Sequence, residues 1–262
     1  MTISKAKFNS IISSYKIRRK SRNELLFFLA FIIMYKISRF MAIGTESTAF
    51  ANAYLVIDIE KYLGIFYEVS IQQFFLEHQG IIKALNQIYM RLHIPSSILF
   101  FVWLFRTDQK NYYYARNVFV IANIITLFFY VGFPTAPPRM LREYGFVDTL
   151  LTQSHINLYQ GILSKLFNQY AAVPSMHFGM ALLICIFTFS LSKIQWLKWS
   201  ILLYPVFVLM VIVITGNHFF IDAILGGIVV LVPFPIFKAY ELFFTTEGKF
   251  STIFRSKSRM PY

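Results

Sequence analysis

Two histidines and an aspartate carry the most pointed chemistry in this chain. In "TGNHFFIDAILGG" (Thr215–Gly227), His218 and Asp222 are four residues apart, which on a helix puts them on one face about one turn from each other. A carboxylate one turn inside an apolar segment costs roughly 2.5–3.5 kcal/mol on insertion scales, so it needs a partner. The imidazole of His218 is the obvious one. By accepting a hydrogen bond from one ring nitrogen, Asp222 would orient the ring, stabilise its cation and leave the other nitrogen to attack an electrophile. A structural His–Asp pair closing a helix end fits the same spacing equally well.

A second imidazole stands in "NQYAAVPSMHFGMAL" (Asn168–Leu182), just before an apolar run. Pro174 suits a helix start and Ser175 an N-cap. The free N–H groups of such a first turn, with the positive end of the helix dipole, favour a phosphate. His177 in the same turn is placed to give a proton to a leaving oxygen. "FPTAPPRM" (Phe133–Met140) adds a cation: its prolines stiffen the chain, and Arg139 can grip a pair of phosphoryl oxygens. Arg142, one turn further if helical, is a weaker candidate for the same task. An arginine just outside a span also suits lipid headgroups, so it is the three segments together that favour phosphate chemistry.

The elements that must position these residues follow from composition. Of 262 residues, 57% are hydrophobic, 30 are phenylalanine and only 14% are charged, against about a quarter charged in soluble domains. Mean hydropathy is +0.57. The net charge of +13 gathers in "KIRRKSR" (Lys16–Arg22) and "FRSKSRM" (Phe254–Met260), the pattern of cytoplasmic segments flanking membrane spans, with anionic headgroups as a secondary contact. No nucleic-acid motif accompanies the charge, so nucleic acid is not an expected partner. The single cysteine, Cys185, excludes a disulfide framework or thiol metal site and reads as a small buried hydrophobe. No further carboxylates or histidines cluster around these motifs at ligand spacing, so nothing in the sequence argues for a metal or a cofactor.

Apolar runs near the ~20 residues needed to cross a bilayer predict six spans: Leu25–Ile43, Ile94–Phe105 (short unless begun near Asn86), Val118–Phe133, Met176–Leu191, Trp199–Thr215 and Phe219–Phe237. The first lacks a cleavage site and reads as an anchor. Between the first two, Tyr54–His93 alternates polar and apolar residues at helical spacing, which predicts one or two amphipathic interfacial helices. The expected fold is all-α: a polytopic six-transmembrane-helix bundle, with a membrane-embedded catalytic domain over 25–240 between basic cytoplasmic segments 1–24 and 241–262. Charge places both termini and the loops Arg106–Arg116 and Ser192–Lys198 inside. The Pro134–Pro174 loop and the joint near Thr215–His218 then face outside (periplasm, cell exterior or lumen), where all three chemistry-bearing segments meet.

The "PSMH" and "HFFID" motifs resemble those of the type-2 phosphatidic acid phosphatase superfamily. The fuller forms "FPTAPPRM", "NQYAAVPSMHFG" and "TGNHFFIDAILGG" resemble the branch of the fungal inositol phosphorylceramide synthases and their bacterial relatives, over about Ile57–Gly227. The resemblance implies a metal-independent six-helix enzyme acting on membrane lipids. In it His218 forms a phosphohistidine, Asp222 orients it, His177 serves the leaving oxygen, and Ser175 and Arg139 hold the phosphate. There are departures. The phosphatase pattern has Ser-Arg seven and six residues before its nucleophilic histidine, where this chain has Val211 and Ile212, and Pro-Ser-Gly-His is Pro-Ser-Met-His here. Loss of that arginine disfavours a dianionic monoester and favours transfer of a phosphodiester headgroup to an alcohol. Hydrolysis of a lipid phosphate or polyprenyl diphosphate by the same site is the alternative. A non-catalytic transporter fits less well, because the spans hold few charges beyond Lys36, Arg39 and Asp222. His78 and His155 read as solvated loop residues; His93, four after Tyr89 and just before Pro95, reads as an interfacial structural residue, with a contact to the site or its substrate as the alternative; Gly226 and Gly227 read as close helix packing.

Overall fold

The computed structural model describes residues 46–161 and 168–239, together with 22–24, 26, 28, 29 and 33. The chain divides into two units, Met1–Ile43 and Gly44–Tyr262. The described residues of the first unit are helical; the rest of the expected span Leu25–Ile43, and both basic terminal clusters apart from Arg22, lie outside the described residues.

The second unit is helical, with α1 (Glu46–Leu63), α2 (Glu68–Leu76), α3 (Gln79–Thr107), α4 (Gln109–Gly132), α5 (Thr149–Ser154), α6 (Met176–Leu191), α7 (Gln195–Ser200), α8 (Leu203–Ile214) and α9 (Phe220–Leu231). Two 3-10 turns, Pro138–Met140 and Arg142–Tyr144, lie between α4 and α5. Among the described residues the one β feature is an isolated parallel bridge between Thr135 and Ala171. The expected all-α class holds.

Among the described residues, four helical stretches are long and apolar enough to cross a membrane: Gln79–Thr107, Gln109–Gly132, Gln195–Ile214 and Phe220–Ala239. At 1.5 Å per residue the 24 residues of α4 extend about 36 Å, enough for a hydrocarbon core of about 30 Å. The expected fourth span, α6, is a shorter apolar helix of 16 residues. Large side chains such as Phe128 (75% exposed), Leu99 (68%) and Leu203 (68%) point away from the protein, as suits contact with lipid. This is an integral membrane protein.

The second span differs from its expected start. Its helix begins at Gln79 and runs 29 residues to Thr107, with Pro95 inside it. Residues 79–93 had read as interfacial because polar side chains interrupt the apolar run. One of these, Asn86, is fully buried and turned inward, donating to the Thr149 carbonyl (2.8 Å) and the Ser154 hydroxyl (2.8 Å). The amphipathic region is thus α1 and α2.

Close packing of α6 on α9 fixes the centre of the unit. A Cβ on Gly226 would lie 2.1 Å from the Ser175 carbonyl oxygen, and one on Gly179 would lie 2.9 Å from the Gly226 carbonyl oxygen. These two glycines let the helices approach backbone to backbone. The segments between helices join the same centre. The Thr135 amide donates to the Tyr170 carbonyl (2.8 Å), and the Ala172 amide to the Thr135 carbonyl (3.3 Å). "FPTAPPRM" therefore runs alongside "AAVPS". On its other side the Ala136 amide donates to the Ala49 carbonyl at the start of α1 (3.0 Å).

Candidate active site

Ser175 caps α6, its hydroxyl oxygen accepting from the Phe178 amide at 3.5 Å. Its own amide donates to the Asp222 carbonyl (2.8 Å), which ties the mouth of α6 to the first turn of α9. His177 is in that mouth. His218 immediately precedes α9, after a turn in which Gly216 takes φ +67°. A side chain there would be strained, and its Cβ would meet Gln72 Nε2 at 2.6 Å. Glycine is required at this corner.

The two imidazoles come together: the ring centres of His177 and His218 are 5.5 Å apart. His218 is buried, and its Nδ1 lies 2.9 Å from the Ala172 carbonyl oxygen and 3.3 Å from Asp222 Oδ2. A carbonyl oxygen only accepts, so Nδ1 carries the hydrogen, and in the neutral ring Nε2 keeps its lone pair. Asp222 Oδ2 also accepts from the Phe219 amide (2.9 Å), which holds the carboxylate against its own helix turn. The His–Asp pair thus exists as the spacing predicts, with a backbone carbonyl as an additional and shorter contact.

Arg139 is buried in the Pro138–Met140 turn. Its amide donates to the Gly216 carbonyl (2.7 Å) and its Nη1 to Asn217 Oδ1, so it is braced against the residue next to His218. Asn217 in turn donates to the Thr215 hydroxyl (2.7 Å). Nε of Arg139 is buried with no partner among the described residues, a donor open to an anion. Tyr159 donates to Asp148 Oδ2 and lies against the Arg139 guanidinium. Burial pushes its hydroxyl up to about 12, with Arg139 opposing and Asp148 adding to the shift, so it stays a neutral donor. Arg142 is exposed, in the following 3-10 turn. Of the six residues expected at the site, five gather around the α6–α9 contact and Arg142 stands at the surface.

Several neighbours carry no local sequence signal. His93, expected in an interfacial structural role, stands against His177 with ring centres 4.5 Å apart, and Tyr89 stacks on the same imidazole at 4.6 Å. Both come from the part of α3 that read as interfacial. The one usable clue was their four-residue spacing, which aligns them on one helix face. A small cleft opens beside them, lined by apolar residues of α3 and α8 together with His93, His177 and Tyr204. Val211 and Ile212, at the positions of the phosphatase Ser-Arg, form part of its wall. Glu60 and Glu68 reach the first turn of α9 from α1 and α2; nothing in the sequence links them to it. His78 and His155 are exposed. No cluster of three or more His, Cys, Asp or Glu side chains suited to a metal occurs among the described residues.

Comparison with known proteins agrees with these motifs. A family model described as the PAP2 superfamily matches residues 55–236. A phosphoinositol dihydroceramide synthase of Bacteroides thetaiotaomicron is 25% identical over 171 residues, covering 59% of this chain and 55% of that relative. The chain thus matches about half the length of that curated relative. No solved structure matches.

Proposed function

The chain belongs to the PAP2 superfamily, and on that premise we propose that it transfers a phosphorylated headgroup, of the inositol-phosphate kind, between a membrane lipid and an alcohol. At the coarser level it is a membrane enzyme acting on lipid phosphoesters. The observation that carries the finer reading is the pair of imidazoles 5.5 Å apart, one of them with Nδ1 engaged and Nε2 free to attack. In this reading one phosphoryl group would pass between the two rings.

In the proposed reaction, His218 Nε2 attacks phosphorus in line with the departing lipid oxygen, and a phosphorus–nitrogen bond forms as the phosphorus–oxygen bond breaks. Protonated His177 gives its proton to the leaving oxygen. Asp222 offsets the positive charge that develops on the His218 ring. Arg139 and the mouth of α6 at Ser175 hold the non-bridging oxygens. In the second half, neutral His177 takes the proton of an acceptor hydroxyl as that oxygen attacks phosphorus and frees His218. Both half-reactions use this chain's own residues. The site would face the outer side, with both termini cytoplasmic.

With an alcohol as acceptor the enzyme is a transferase; with water it is a phosphatase. Transfer is favoured by the apolar wall at Val211 and Ile212 beside His177. It offers a lipid chain a place and supplies no second cation for a dianionic monoester. The relative's name points the same way, to dihydroceramide as acceptor.

The reaction is tested by giving the protein in detergent or vesicles a labelled inositol phospholipid, with and without dihydroceramide. Labelled phosphosphingolipid should form only with both, and rapid acid-free quenching should trap label on His218. Release of inorganic phosphate from a lipid monoester at a rate indifferent to the acceptor would instead establish the hydrolase.

A further inference from the structure

Three successive amides after His218 are each held by a carboxylate. The Phe219 amide donates to Asp222 Oδ2 (2.9 Å), the Phe220 amide to Glu68 Oε1 (2.9 Å) and the Ile221 amide to Glu60 Oε1 (2.8 Å). Glu60 comes from the last turn of α1 and Glu68 from the first turn of α2, on either side of the Gly64 turn. Both are fully buried. One acidic side chain at a helix N-terminus is ordinary capping. Two buried ones reaching it from different helices are not.

Each has a second oxygen, Oε2, that is buried and meets no donor among the described residues, and the two Oε1 atoms accept from successive amides of one helix turn, which brings the two carboxyl groups to one place. Two carboxylates buried together would repel and leave both Oε2 atoms without a donor, and one proton shared between them answers both. We propose that Glu60 and Glu68 are a proton-sharing carboxyl pair that positions His218 for attack by clamping the two amides behind it. The proposal rests on the reading of His218 as nucleophile.

The charge relations agree. Burial raises both carboxyls above the usual carboxylate range; for Glu60 the neighbouring Glu68 adds to the effect. Asp222, from α9, is the other titratable group facing them, and it too opposes a second negative charge. In the proposed pair one proton is retained, and the remaining negative charge stands against the positive end of α9. The folded protein then holds a proton that the unfolded chain releases. Stability attributable to the pair therefore falls as pH rises above the ordinary carboxylate range.

The test compares Glu60→Gln, Glu68→Gln, Glu60→Ala and Glu68→Ala with the wild type. A glutamine oxygen still accepts from the α9 amide, and its NH2 replaces the shared proton. Each single glutamine variant should keep turnover within about threefold and show a flatter fall of unfolding temperature from mildly acidic to alkaline pH. Each alanine variant should lose about tenfold or more in kcat with KM little changed, since donor binding is left intact. Infrared spectra should show the C=O stretch of a protonated carboxyl at neutral pH in the wild type and not in the glutamine variants. Alanine variants of unchanged specific activity, or glutamine variants as impaired as alanine, overturn the proposal. If the wild type moves no phosphoryl group at all, the reaction assigned to His218 fails, and the infrared band and the pH slope still decide whether the proton is shared.

Discussion

At the scale of single residues, the distinguishing feature is a division of labour between two imidazoles in different surroundings. His218 has one nitrogen fixed by the Ala172 carbonyl and Asp222, whereas His177 stacks on Tyr89 and has His93 tilted against it. His218→Ala should abolish turnover with every donor. His177→Ala should cost about 10²–10⁴-fold with a natural lipid, and far less with a nitrophenyl phosphodiester, whose leaving oxygen needs no proton. An equal loss with both donors would remove His177 from proton transfer. Asp222→Asn keeps the shape and drops the charge. It should lower kcat by roughly 10–100-fold, the worth of a hydrogen bond to a charged group, at normal protein yield. A fall in yield alone would make the pair structural. Arg139→Lys replaces a planar fork with a point charge and loses the brace on Asn217. Kinetics with donors of differing phosphate charge should show it chiefly in kcat/KM.

At the scale of elements, the site depends on how closely α6 meets α9. Alanine at Gly226 would put its Cβ 2.1 Å from the Ser175 carbonyl oxygen, a backbone atom that cannot rotate away. The helices must separate, at a cost of about 1–3 kcal/mol or more, and the mouth of α6 moves off His218. At Gly227 the first atom met is a Phe178 ring carbon at 3.3 Å, and at Gly132 nothing lies within 4 Å. Unfolding temperature and turnover should therefore fall sharply for Gly226→Ala, slightly for Gly227→Ala and not at all for Gly132→Ala. Equal tolerance at all three would mean that the α6–α9 spacing does not govern the site. The α1–α2 pair matters for a different reason: its carboxyl groups grip the turn that follows His218, so interfacial helices brace a site in the bundle.

At the scale of the whole molecule, orientation is the open physical choice. Lys110, in the first turn of the roughly 36 Å α4, and Glu143, beyond its other end, are both exposed. Cysteine placed at each, in a chain whose native Cys185 is buried, should react with an impermeant thiol reagent from opposite sides: position 143 from outside intact cells, position 110 only after lysis. The reverse pattern would put the phosphate chemistry on the cytoplasmic face.

What the sequence determined by itself was the solvent, the class and the chemical vocabulary. Apolar runs of span length admit few solutions but helices, and four-residue spacing makes a His–Asp pair wherever a helix forms. Even Ser175 as the cap of α6 follows from local chain chemistry. Tertiary structure alone decided which polar residues of the amphipathic stretch turn inward. Tyr89 and His93 stand at His177, and Glu60 and Glu68 at the first turn of α9, because helices far apart in the chain pack there. Alternation of polar and apolar residues states that a face exists, and leaves unstated whether water, lipid headgroups or another helix covers it. Burial settles that, and burial is a property of the assembled bundle.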